Sequence, residues 1–227
     1  MDLLDFARGP ALILAITVFV LGVGWRLFGV LRRPRMPDLS LAREGAPPPW
    51  LGALRGILSG LHPRRTFGAS AFISGLNGYV FHIGLALVFF GYGPHIAFIR
   101  RITGLGWPAL PDAVMYLAAG VTIVSMLIAL ILRLTDPVLK LISTAGDWLG
   151  WALTFLPVIT GMAVITESSV ITLARNHVIF RDPLALHLLA FELLLIWFPF
   201  GKLMHAFLFP FSRGATGIRF SHRGVLS

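Results

Sequence analysis

Four histidines stand inside apolar sequence, where a side chain able to ligate a metal or carry a proton is costly to place. His187 and His205 lie within 184–211 (LALHLLAFELLLIWFPFGKLMHAFLFPF), and His82 and His95 within 70–99. His187 and His205 are 18 residues apart. That is five turns at about 3.6 residues each, so on a straight helix they share a face, about 27 Å apart along the axis. The hydrocarbon core of a bilayer is roughly 30 Å thick. One such helix offers an imidazole near each membrane face. Two antiparallel helices with two histidines each can build two bis-histidine sites, stacked across the membrane.

The composition supplies the bilayer. The chain has 227 residues, of which 56% are apolar and 13% charged, against about 25% charged in soluble domains. Mean hydropathy is +0.83. These values predict an all-α integral membrane protein of one domain, 1–227. There are no cysteines. That excludes disulfides, cysteine-ligated iron–sulfur clusters and covalently attached c-type haem within this chain. The net charge of +9 does not point to nucleic acid, because the basic residues crowd particular loops between apolar spans. No cleavable signal peptide is evident at the N-terminus, where Asp2 and Asp5 accompany a single basic residue, Arg8.

Five spans are expected, at about 11–31, 70–99, 113–132, 148–166 and 184–211. A basic, proline-rich loop fills 32–66. Within it, Trp50 to Leu61 is too short to span and suits an interfacial helix or a docking surface. Asp112 and Asp147 can cap the third and fourth spans, and Asp136-Pro137 and Asp182-Pro183 read as helix starts. The basic tail, 212–227, is expected to be mobile. With five spans the termini lie on opposite sides. Placing the N-terminus outside leaves Arg8, Arg100, Arg101, Arg175 and Arg181 outside and the other 14 of the 19 Lys and Arg inside. The positive-inside rule therefore favours N-out, C-in, with 32–66 cytoplasmic.

In that orientation the second span runs outward and the fifth inward. His95 and His187 then lie about 5–6 Å below the outer face, and His82 and His205 about 26 and 32 Å. The pairs His95/His187 and His82/His205 match in depth. The azimuths match less well. His82 and His95 are 13 residues apart, about 140° off a common face on an ideal helix. Gly91, Gly93 and Pro94 between them, and Pro199 between His187 and His205, can kink either helix. A single histidine is as readily a packing residue with a satisfied hydrogen bond; four at two matched depths point to a site. Haem b takes two axial imidazoles in a dry pocket, and Gly75, Gly78, Gly84 and Gly91 would admit a flat macrocycle. Zinc or copper would want more ligands close together. His62, His177 and His222 fall in loops.

The segment FHIGLALVFFGYGPHIAF around His82 and His95, and HLLAFELLLIWFPFGKLMHAFLFPFSRGATG around His187 and His205, resemble the di-haem cytochrome b subunit of respiratory nitrate reductase, its gamma subunit. GLGWPALPD and RLTDPV look like the branch associated with heterodisulfide-reductase-like and dissimilatory sulfite-reductase complexes. The second-span histidines are spaced more widely than in the nitrate-reductase subunits. The resemblance covers most of the chain from Thr66 onward. It implies five spans, an outside N-terminus, and two haem b groups, with His82 and His205 on the inner iron and His95 and His187 on the outer one.

The expected function is a conduit in the bacterial cytoplasmic (inner) membrane. Quinol from the quinone pool would bind near the outer haem, close to Tyr92, Gly93, His95 and Arg100. Electrons would pass inward through both haems to a cytoplasmic iron–sulfur subunit, since a chain without cysteine needs a partner to carry them on. The same conduit run in reverse, as a quinone reductase, is the alternative. A haem-free transporter or anchor is the rival from another class. Arg100 and Arg101 stand on the side the positive-inside rule keeps poor in arginine; they suit the outer haem's propionates, a quinone mouth or anchoring among membrane lipid. Lys202, Arg213 and Arg219 suit the inner propionates, a partner surface or plain positive-inside charge. Glu192 reads as a proton relay or an interhelical hydrogen bond, and Asn77 as an interhelical hydrogen bond.

Overall fold

The computed structural model describes residues 2–34, 38–61, 68–167 and 181–224. Among them the fold is all-α, with nine helices designated here α1 to α9. These are α1 (Leu3–Leu31), α2 (Pro49–Gly60), α3 (Gly68–Gly91), α4 (Gly93–Thr103), α5 (Asp112–Thr135), α6 (Pro137–Ile142), α7 (Ala145–Glu167), α8 (Arg181–Trp197) and α9 (His205–Arg223). Four helices are long and apolar enough to cross a membrane: α1, α3 from Phe72, α5, and α7 to Val164. The bent pair α8 and α9 makes a fifth crossing if counted as one. Ile13, Leu21 and Trp25 of α1 are each about 70% exposed. Apolar side chains turned outward along a whole helix are stable against lipid, not water. The chain is an all-α, multi-pass membrane bundle.

The helices pack in the order α3–α5–α7–α8–α1. Polar side chains join the first pair. Asn77 Nδ2 donates to the Ser125 carbonyl at 2.9 Å, and Ser125 Oγ donates back to Asn77 Oδ1 at 2.9 Å. This is the interhelical bond expected of Asn77. One turn or two further on, a Cβ at Gly84 would strike Thr122 Oγ1, so glycine lets α3 and α5 approach. Trp151 Nε1 ties α7 to α5 through the Met126 carbonyl at 3.0 Å. Asp136 caps α6 as expected, accepting from the Val138 and Leu139 amides. Asp147 works from inside the first turn of α7, reaching back to the Thr144 amide and hydroxyl. Asp112 is the first residue of α5, and Pro111 stands at the cap.

Two expected spans are broken. The stretch 70–99 is not one helix: α3 ends at Gly91, Tyr92 is extended, and α4 starts afresh with Pro94 in its first turn. The stretch 184–211 turns by 77° between α8 and α9. Pro199 has no amide to give the Leu195 carbonyl and its ring would clash there, so the helix stops at Trp197. A Cβ at Gly22 would lie 2.6 Å from Pro199 Cγ, so α1 locks the bend from outside. Phe19, Phe198 and Phe207 close it with ring centroids 5.3 to 6.1 Å apart. Lys202 Nζ reaches Asp147 Oδ1 at 2.7 Å, tying the bend to the start of α7.

The tail differs most from expectation. It is helical to Arg223 and docked on α2. The contact is made of glycine. A Cβ on Gly56 would lie 2.6 Å from Gly217 Cα, and one on Gly217 would strike the Gly52 carbonyl. Small residues four apart on one helix let the backbones touch, the packing seen between membrane helices. Residues 38–43 strap the end of α9. Arg223 pairs with Asp38 at 2.9 Å, His222 Nε2 donates to the Ser40 carbonyl at 2.8 Å, and the Arg43 amide bonds the His222 carbonyl at 2.9 Å. Arg223 and the Ser40 hydroxyl hold the Asp38 carboxyl well below the usual carboxylate range.

Candidate functional site

The four histidines come from four helices: His82 from α3, His95 from α4, His187 from α8, and His205 from the first position of α9, just past the bend. They meet in two pairs. His95 and His187 have ring centroids 6.1 Å apart and planes at 17°; His82 and His205 have centroids 5.9 Å apart and planes at 87°. These are the pairs expected from depth. The route to them is different, since neither helix is straight. The bend brings His205 to His82, and the restart at Gly93 brings His95 to His187. α3 and α8 are not among the helices packed along one another, so the pairs bridge a gap between them.

One nitrogen of each ring is committed to the fold. His82 Nδ1 donates to the Gly78 carbonyl at 2.7 Å, His205 Nδ1 to the Lys202 carbonyl at 2.9 Å, and His95 Nδ1 to the Val88 carbonyl at 3.1 Å. A carbonyl only accepts, so these rings carry the proton on Nδ1. His187 Nδ1 lies 3.3 Å from Thr160 Oγ1, whose own hydrogen goes to the Leu156 carbonyl at 2.7 Å. Thr160 is thus an acceptor there as well, beside the Pro157 carbonyl. In all four rings Nε2 is left with a free lone pair, the tautomer a metal-ligating histidine needs.

The break after α3 serves this arrangement. A helix end leaves carbonyls without partners. Here His95 takes that of Val88, Trp107 Nε1 that of Phe90 at 2.6 Å, and the Leu110 amide that of Gly91 at 2.9 Å. The His95 ring is therefore oriented by the helix end that released it. On the other side of the pair, a Cβ at Gly161 would come within 3.1 Å of the His187 ring, so glycine makes room for it. The four glycines expected beside a macrocycle divide. Gly75 and Gly78 face open space, whereas Gly84 and Gly91 are filled by Thr122 and by Leu110 and Met115.

The spacing can be compared with a metal held between two imidazoles. Two metal–nitrogen bonds of about 2.0 Å, with each ring centroid about 1.15 Å behind its nitrogen, put the centroids roughly 6.3 Å apart. The observed centroid separations, 6.1 and 5.9 Å, are close to that value. Among the described residues no group of three or more His, Asp or Glu side chains converges. Among the described residues neither pair therefore has the four ligands usual for zinc.

Arg100 and Arg101 do not face His95. They line a cleft of about 920 Å³ with Gly93, Ile96, Gly106 and Trp107, formed by α4 and the 104–111 loop. Five and six residues beyond His95, they point about 140° and 240° around the helix from it. Gly93 and Arg100 of the expected quinone residues border this cleft. Tyr92 and His95 do not; the Tyr92 ring packs edge-on against His95 at 5.2 Å. Gly104, at φ 77°, ends α4 by giving its amide to the Arg100 carbonyl. Glu192 is 3% exposed and neither carboxyl oxygen has a partner among the described residues. The interhelical bond expected of it is not formed. His62 and His177 lie outside the described residues. Thr160, Gly161 and Trp107, which hold the rings and the break in place, carry no signal in the sequence beyond their apolar surroundings.

The fold and these pairs define a class: an all-α membrane protein with two facing imidazole pairs. A protein of Nitratidesulfovibrio vulgaris strain Hildenborough is 28% identical over 230 residues, spanning 95% of this chain and 92% of its own. No protein-family description matches the sequence, and no solved structure matches it.

Proposed function

We propose that the chain is a di-haem b membrane subunit that oxidises quinol near the outer face and delivers electrons to a cytoplasmic iron–sulfur subunit of a respiratory complex. The observation that supports it is the two histidine pairs, with ring centroids 5.9 and 6.1 Å apart and Nδ1 of each ring held by a hydrogen bond. His82 and His205 would hold the inner haem, His95 and His187 the outer. When bound, the haems supply one-electron transfer.

The rest is the work of the chain. The carbonyls of Gly78, Val88 and Lys202 and the hydroxyl of Thr160 fix each ring's tautomer and raise its basicity. The cleft at Gly93, Arg100 and Trp107 suits a quinol headgroup. An Arg100 guanidinium at a quinol oxygen stabilises the charge left as its proton departs, and Arg101 adds to that field. Apolar walls around His95 and His187, with Phe89 and Phe191 at 6.4 Å, keep water from the rings. The topology this function requires is N-out, C-in in the bacterial cytoplasmic membrane, with the basic α2–α9 pair on the inner surface.

A water-soluble quinol added to the purified protein should generate a reduced b-type spectrum. In the Arg100→Gln/Arg101→Gln variant that reduction should slow ~10-fold or more, as loss of a charged hydrogen bond predicts. Dithionite should still reduce the variant fully. Wild-type quinol kinetics in the variant would remove the cleft from the pathway.

A further inference from the structure

The bend between α8 and α9 encloses a second cavity, of about 810 Å³. Arg26 of α1, Trp197, Lys202, His205 and Arg213 of α9 stand in its wall. Lys202 is already neutralised by Asp147. Arg26 and Arg213 make neither an ion pair nor a side-chain hydrogen bond among the described residues. The Trp197 indole N–H is buried and has no acceptor among the described residues. The Arg213 stem is steadied across Gly60, where a Cβ would come within 3.0 Å of Nε. Two arginines from opposite ends of the chain thus border one cavity, Arg26 exposed and Arg213 half-buried. Charge there is costly unless something of opposite sign is bound.

We propose that Arg26 and Arg213 form a clamp for a ligand bearing anionic oxygens, carboxylate or phosphate. His205 lines the same cavity, which favours the carboxylates of the porphyrin whose iron His205 would hold. That choice rests on the haem reading above; the assignment of the carboxylates to α1 and α9 goes beyond it. A guanidinium meets a carboxylate or a phosphate with two parallel hydrogen bonds, so each arginine can hold one group. α1 and α9 touch through Phe19 and Phe207, and the ligand would add a second tie between the first helix and the last.

The test uses the full-length protein in detergent, as the Arg26→Gln/Arg213→Gln variant, with Arg55→Gln as a charge control on α2 outside the cavity. Redox titration of the variant should show the potential of the His82/His205 haem lowered, because two positive charges that favoured the reduced state are gone. Alternatively that haem should be missing from the purified chain by the pyridine haemochromogen assay. The other haem and the Arg55→Gln control should match wild type. If the clamp holds lipid phosphate, both potentials stay fixed and tightly bound phosphorus falls in the double variant. Unchanged haem content, potentials and phosphorus overturn the clamp while leaving the haem reading intact. A colourless wild type overturns the haem reading, and the clamp is then decided by phosphorus alone. Should the double variant fail to accumulate, Arg26→Gln alone carries the same expectations at reduced size.

Discussion

Thr160 shows how much of this site depends on single atoms. Its hydroxyl is an acceptor for His187 Nδ1, while its own hydrogen is held by the Leu156 carbonyl. Thr160→Val keeps the shape and removes one acceptor, leaving the Pro157 carbonyl. His187 becomes a weaker donor to a bound iron, and the ferric state loses more than the ferrous. The potential of the haem at His95/His187 should therefore rise, with the other haem unmoved, in a spectroscopic redox titration; equal titrations for variant and wild type would leave Thr160 no role in the site. At this scale the sequence was partly legible. The pairing of four histidines followed from depth, because depth depends on residue count, which a kink changes little. Direction around a helix depends on every dihedral between two residues. That is why Arg100 and Arg101, expected beside His95, look into a cleft on another face of α4.

Among the elements, the breaks matter more than the helices. Gly91, Gly93, Pro94 and Pro199 marked where the helices could break. They did not say that α8 and α9 would part by 77°, because that angle is set by Gly22 packing on Pro199 and by Lys202 reaching Asp147, contacts between distant segments. The docked tail was missed for a related reason. Read alone, 212–227 is polar and basic; its partner surface is the glycine face of α2. Gly56→Leu should force that pair apart, since the backbones already touch there. Overpacking of this kind costs about 1–3 kcal/mol. Thermal unfolding should begin at lower temperature, and trypsin should cleave after Arg213 or Arg219 in the variant first. A variant with wild-type melting and digestion would show that the α2–α9 contact carries little stability.

For the molecule as a whole, composition was the surest guide. A chain with so few charges and such long apolar runs has no way to hide them except in lipid, and the outward-facing side chains of α1 bear that out. Orientation is a separate matter, for which loop charge predicts an outside N-terminus. Reporter fusions at residue 40 and at the C-terminus should both read cytoplasmic; a periplasmic signal at either would contradict five crossings with the N-terminus outside. The central claim concerns the two histidine pairs, and a haem count addresses it most directly. Pyridine haemochromogen assay of the purified protein should give two haem b per chain. His187→Ala and His205→Ala should each retain one, with the surviving band differing between them. A folded wild-type protein without haem, or variants that keep both haems with unchanged spectra, would contradict it.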